Sequence, residues 1–249
     1  EFNGLKNFSF IFNDPVFFSS IKNTFLIGIM GTVPQIVAAL LIAFALNSAL
    51  LRFRNTFRTL VFLPYITSIV SVAIIFGLIF NNQPFGFANY FLSFFDIGPI
   101  RWNAEYWPVK IAIATMVFWR WVGYNTIIFL AGMQSIPREL YEAAKIDGAT
   151  VGQQIRLITL PMLKPITMFV VFTATIGSLQ LFTEPLIFLG RGLREEGITM
   201  VAYLWRDAFV YNSFGTASAA AIVLFLIIIT LTAINLLITN QLGRSKKVS

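Results

Sequence analysis

Five stretches of the chain, 23–50, 59–80, 107–134, 165–183 and 213–241, are uncharged or nearly so and are separated by polar connections. Crossing the hydrocarbon core of a bilayer takes roughly 20 helical residues, and each run reaches that range. The pattern predicts an all-α, polytopic membrane protein with about five transmembrane helices. Gly28, Gly31, Pro34, Pro64, Gly77, Gly123, Gly132 and Gly177 lie inside these runs. Small residues let spanning helices approach closely and Pro is tolerated there, so these positions read first as packing sites.

The connections differ in kind. The second, 81–106, carries an aromatic segment from Phe87 through Tyr90, Phe91, Phe94 and Phe95, then Gly98-Pro99, Trp102, Tyr106 and Trp107. Aromatic side chains collect at the headgroup level, where a short helix can lie in the interface. Interfacial anchoring and docking of an external partner both suit it. The third connection, 135–164, is charged and amphipathic, a helix–Gly–helix segment between two apolar runs.

Charge orients the spans. Arg52, Arg54 and Arg58 crowd the first connection, Arg138, Lys145, Arg156 and Lys164 the third, and Arg244, Lys246 and Lys247 the tail. The second has only Arg101 against Asp96 and Glu105, and the fourth mixes Arg191, Arg194 and Arg206 with Glu184, Glu195, Glu196 and Asp207. Basic loops face the cytoplasm. The reading therefore sets residues 1–20 outside as an extracytoplasmic segment, the loop 137–161 in the cytoplasm, and 244–249 as a cytoplasmic tail. The chain opens on Glu1, Asn3 and Lys6, with no initiator Met and no signal peptide. An outside N-terminus then calls for one more helix ahead of it.

Composition narrows the class. The chain is 57% hydrophobic and 12% charged, with mean hydropathy +0.77, against about 25% charged for soluble domains. Its net charge of +7 is accounted for by topology and anionic lipid, and no motif points to nucleic acid. With no Cys and no His, there is no disulfide and no Ser-His or Cys-His nucleophile pair.

Within the third connection, Pro137 suits a helix start, and Glu139 and Glu142 lie near the positive end of its dipole. Leu140, Ala143 and Ala144 fall on one side, with the two alanines permitting close approach to another surface. Gly148 suits the left-handed residue that closes a helix. Thr150 opens a second stretch through Gln153, Gln154 and Ile155, and Leu160-Pro161 leads back to the membrane. A bland amphipathic connector lying on the bilayer is the competing reading.

The words at Glu142-Ala143-Ala144, Gly148, Ile158 and Leu160-Pro161 are spaced as in the EAA signature of integral-membrane permease subunits of binding-protein-dependent ABC importers, without gap or substitution. IPRELYEAAKIDGAT followed by ITLPMLKP resembles the carbohydrate branch, similar to maltose- and lactose-type permeases. The resemblance covers essentially the whole chain. It implies a MetI-like transmembrane domain over 21–243 that pairs with a second, homologous permease. The loop would form a coupling helix seated in a cytoplasmic ABC ATPase dimer, with Glu142 as charged contact, Ala143 and Ala144 as close-packing face, Gly148 as the turn, and Asp147, Ile158, Leu160 and Pro161 completing the motif. An extracytoplasmic solute-binding protein would deliver the substrate. Permeases of this kind carry one further helix before the segment that begins here.

No GxxxxGK[ST] loop occurs, so the chain is expected to bind no nucleotide or metal and to catalyse nothing; ATP and Mg belong to the ATPase. Two groups are candidates for the substrate path. Arg120 stands mid-span, where a charge costs roughly 2.5–3.5 kcal/mol, and so faces a cavity or partner unless it snorkels to the interface; Tyr124 and Asn125 lie one turn on. At the end of the fourth run, Gly177 and Pro185 permit unwinding, and Gln180 and Glu184 flank Phe182. Polar groups beside a flat ring suit a sugar, most simply a di- or oligosaccharide; another polar solute such as glycerol phosphate is the alternative. An ion-coupled secondary transporter would want acidic residues deep within the spans, and Glu184 and Asp207 sit at ends.

Overall fold

The computed structural model describes residues 4–47, 53–190 and 193–244. Glu1, Asn3, Arg52, Arg191, Lys246 and Lys247 lie outside the described residues, as does the 244–249 tail beyond Arg244. Among the described residues the fold is entirely helical: α1 Lys6–Phe12, α2 Pro15–Asn47, α3 Arg54–Ile66, α4 Ile69–Ile79, α5 Phe87–Ser93, α6 Tyr106–Gln134, α7 Arg138–Ile146, α8 Val151–Gln154, a π-helical turn Ile155–Thr159, α9 Leu160–Met162, α10 Lys164–Leu179, α11 Thr183–Leu189, α12 Met200–Phe209 and α13 Phe214–Arg244.

Four of these stretches are long and apolar enough to cross a membrane: α2, α6, the α10–α11 run Lys164–Leu189, and α13 over Phe214–Leu237. The expected span at 59–80 is not one helix. It is α3 and α4, bent at Thr67–Ser68, and makes a fifth span only as a pair. Ser68 has an extended backbone (ψ 126°) and its carbonyl accepts the Val72 N–H at 3.0 Å, restarting the ladder.

Two other limits move. α2 starts at Pro15 rather than 23, because Asp14 Oδ1 accepts the Val16 N–H at 2.9 Å and Pro15 occupies a first-turn position where no N–H is needed. The fourth run breaks after Leu179 and resumes at Thr183, with Pro185 inside the first turn of α11. The carbonyl of Leu181, orphaned by that break, accepts the Thr199 hydroxyl at 2.6 Å in the interior. Glu184 consequently lies within the fourth spanning run, 4% exposed, not at its end.

The chain forms two compact units. One comprises Glu1–Thr32, Thr67–Val117 and Thr175–Ser249, the other Val33–Ile66 and Phe118–Ala174. The first has a core of Ile11, Phe17, Ile198, Met200, Tyr203 and Ala220. Ser20, Asn23 and Thr24 are buried in it, each bonded to backbone. The second is built on Ala39, Ala43, Phe129, Leu130, Leu163 and Val170. There α3 and α6 approach backbone to side, since a Cβ on Gly123 would run into the Val61 carbonyl. Gly77 and Gly177 face open space, so the packing reading fits Gly123 and not those two.

Candidate functional site

The third connection is a self-braced helix pair. Pro137 caps α7 with an extended backbone (φ −57°, ψ 132°), one place ahead of the first turn expected for it. At the other end Gly148 takes φ +77°, the left-handed conformation the sequence predicts. The Ala149 N–H returns to the Ala144 carbonyl at 2.8 Å and the Gly148 N–H to Lys145 at 3.0 Å. These paired bonds satisfy carbonyls that a helix end otherwise leaves bare. Thr150 then opens α8 with a capping box: its N–H donates to Gln153 Oε1 at 2.7 Å, while its own Oγ accepts the Gln153 N–H at 3.4 Å.

The return to the bilayer is also fixed. Pro161 has no N–H to offer the Leu157 carbonyl, and its ring crowds that group. The ladder widens just before it, with the Leu160 N–H reaching back five residues to Ile155. Tyr141 Oη and Thr159 Oγ1, 2.9 Å apart, tie α7 to this turn, and the buried Gln154 amide donates to the Ala149 carbonyl at 3.1 Å.

These bonds leave one face of α7 bare. Glu139, Glu142, Ala143 and Ile146, at i, i+3, i+4 and i+7, are exposed, and Ile146 is 87% so. Asp147 and Gly148 extend that face, and Val151, Leu157 and Leu160 add exposed apolar side chains. Ala143 and Ala144 part company: the first is open, the second is half-buried with its carbonyl engaged. Ile158 and Pro161 are half-buried, so they shape the loop rather than present a surface.

The two path groups fall in different units. In the unit containing Phe118–Ala174, Tyr124 stacks on Tyr65 at 4.5 Å between ring centres, with Trp121 at 5.4 Å from Tyr65. The Arg120 guanidinium sits 5.9 Å from the Tyr65 ring, within cation–π range. Asn125 is buried. Tyr65 is the member the sequence reading missed; its signal was its place beside Pro64, just before the chain breaks at Thr67. In the other unit, Gln180 is exposed at the break, Phe182 is half-buried 6.0 Å from the Trp205 ring, and Glu184 is buried. Lys110, also unforeseen, is fully buried, donating to the carbonyls of Tyr106 (3.1 Å) and Glu196 (2.6 Å). Beside it lies a cavity of about 260 Å³ lined by Ser19, Lys22, Asn23, Tyr106, Glu195 and Glu196.

Spanning helices interrupted by an exposed helix pair, braced by its own backbone bonds, define a polytopic membrane protein with a structured loop outside the bilayer. The chain belongs to the family of binding-protein-dependent transport system inner membrane components, matching it over residues 35–243. It is 37% identical over 240 residues to the arabinooligosaccharides transport system permease protein AraP of Halalkalibacterium halodurans, covering 96% of this chain and 76% of that protein. It is 36% identical to the lactose transport system permease protein LacF of Rhizobium radiobacter, over 93% of this chain and 79% of the relative. Its fold matches a chain of a bacterial ABC transporter involved in the import of alginate, with TM-score 0.86 and 24% identity, over 96% of this chain and 84% of that one. The same transporter type in complex with an alginate pentasaccharide-bound periplasmic protein matches at TM-score 0.82 and 25% identity, over 99% and 84%. The chain is therefore a membrane permease component of an ABC importer, as the EAA spacing implied, and the expected MetI-like, all-α fold is the one observed.

Proposed function

We propose that this permease carries a sugar of di- or oligosaccharide size inward by alternating access, driven by a separate ATPase that docks on the loop 137–161. The observation that carries the coupling reading is the bare face of α7 on a loop braced by its own backbone bonds. A rigid, exposed helix transmits displacement where a flexible connector would absorb it. Glu142 and Asp147 supply charge to the docking surface; Ala143 supplies room for close approach; Gly148 fixes the angle at which α8 leaves. Ile158, Leu160 and Pro161 hold the return. Nucleotide and Mg are handled by the ATPase dimer, a second homologous permease completes the path, and a solute-binding protein delivers the substrate. The loop and C-terminus face the cytoplasm, and the first residues of this chain face outward.

The sugar reading is supported by the relatives, whose names specify arabinooligosaccharides and lactose, and by the stacked rings of Tyr65 and Tyr124 beside Arg120 and Asn125. Flat apolar faces with a few polar donors are what a pyranose needs. Gln180, Phe182 and Glu184 offer a second such grouping.

The test is uptake by the assembled importer in proteoliposomes. Glu142→Lys and Gly148→Pro are expected to insert in the membrane normally but to lose uptake and the stimulation of ATP hydrolysis by loaded binding protein. Full uptake in either variant overturns the coupling role.

A further inference from the structure

The segment between α4 and α6 is folded inside out. Asn89, in the middle of α5, is 2% exposed. Its amide donates to the carbonyls of Asn81, Gln83 and Ile100, each at 3.1 Å. Its oxygen accepts the Ile100 N–H at 3.0 Å and the Trp102 indole N–H at 2.9 Å. One polar side chain thus gathers both arms of the connection, and the hydrophobic side chains are what remain outside. Phe85, Phe87, Tyr90, Phe91, Phe94 and Phe95 are between 58% and 79% exposed. These are six aromatics in eleven residues, and no charged residue occurs from 81 to 95.

Water does not tolerate such a patch on a soluble surface, so something apolar covers it. Two observations identify the cover. The connection joins the apolar helix α4, which Phe80 closes, to α6, which Tyr106 and the half-exposed Trp107 open and whose first turn lies at one headgroup level because α6 spans. The patch is also chemically that of an aromatic belt, rings with no charge for a protein partner to read, while the charged Asp96, Arg101 and Glu105 come only after it.

We infer that the aromatic face of 85–95 beds into the headgroup–acyl boundary of the bilayer, in the leaflet opposite the loop 137–161. Asn89 is its positioning residue: it satisfies the backbone on the buried side so that the other side can be given wholly to lipid. The inference rests on the spanning of α6 and not on the coupling role of the loop or on the solute, so its failure leaves both of those untouched.

The chain has no cysteine, which permits single nitroxide labels at Phe87→Cys, Phe91→Cys and, as a water-facing control, Asp96→Cys. These are read in the assembled importer in nanodiscs of phosphatidylethanolamine and phosphatidylglycerol, without binding protein. Labels at 87 and 91 are expected to collide with oxygen several-fold more than with an aqueous nickel chelate, and the label at 96 the reverse. Free access of the chelate at 87 and 91 overturns the inference, as does protection from both reagents, which marks a covering protein surface. Protection that arises only when the solute-binding protein is added assigns the patch to that partner and overturns it too.

Discussion

At the scale of the residue, the chain depends on a few positions where a side chain is missing. Gly123 is the sharpest case. The Val61 carbonyl occupies the space a Cβ would take, and that carbonyl belongs to helix backbone, which does not step aside as a flexible side chain does. Gly123→Ala is expected to destabilise the protein by about 1–3 kcal/mol, the usual scale of overpacking. Thermal denaturation in detergent reads it; an unchanged midpoint shows that α3 can shift without cost. Gly148 is needed for a different reason. Nothing lies within 4 Å of its missing Cβ, and the left-handed backbone alone demands glycine.

Among the elements, α8 is the one whose existence rests on its cap. It runs on without a break through the π turn into α9, and a helical run this short is marginal by propensity, so the Thr150–Gln153 box has to supply the start. Thr150→Ala is expected to cost about 1 kcal/mol, seen as roughly fivefold faster hydrogen exchange at the α8 amides; unchanged exchange there means the π turn alone holds the helix. The loop was readable from sequence because Gly148, Thr150 and the EAA spacing are local signals that act within a few residues. The start of α2 was not, since Ser19, Ser20, Lys22 and Asn23 look like a polar connection. They are tolerated in helix because Ser20 and Asn23 are bonded in the interior to groups an apolar window cannot see. The breaks at Thr67 and Gln180 were hidden likewise: hydropathy averages over an interruption that only hydrogen bonding marks. Gly177 and Pro185 hinted at the second break. The candidate residues Arg120, Tyr124 and Asn125 were found by their oddity in an apolar run, but Tyr65 came to them only through tertiary packing.

For the whole molecule, one of the ties between early and late parts of the chain is a phenol. Tyr203 in α12 is fully buried and donates to Asp14 Oδ2, ahead of α2, at 2.8 Å. Burial, and next the bond to Asp14, push its ionisation well above the ordinary tyrosine value of 10.0. The folded state thus holds the proton that the unfolded chain releases. This contribution is complete below about pH 10 and is lost progressively as the pH rises beyond it. In an absorbance titration at alkaline pH, wild type and Tyr203→Phe are expected to show the same tyrosinate signal until unfolding, when wild type gains one more. A variant that loses signal in the ordinary range refutes the raised ionisation.

The chain passes between its two compact units four times, after Thr32, Ile66, Val117 and Ala174. Two of these crossings are mechanically soft: α2 carries Pro34 next to the first, one ladder bond short, and the second is the break between α3 and α4. The other two run through uninterrupted helix, in α6 and α10. Those are the helices that enter and leave the 137–161 loop. The segments that flank the loop, Phe118–Gln134 and Lys164–Ala174, are therefore each continuous with helix beyond the unit boundary, and the two interrupted crossings lie elsewhere in the chain.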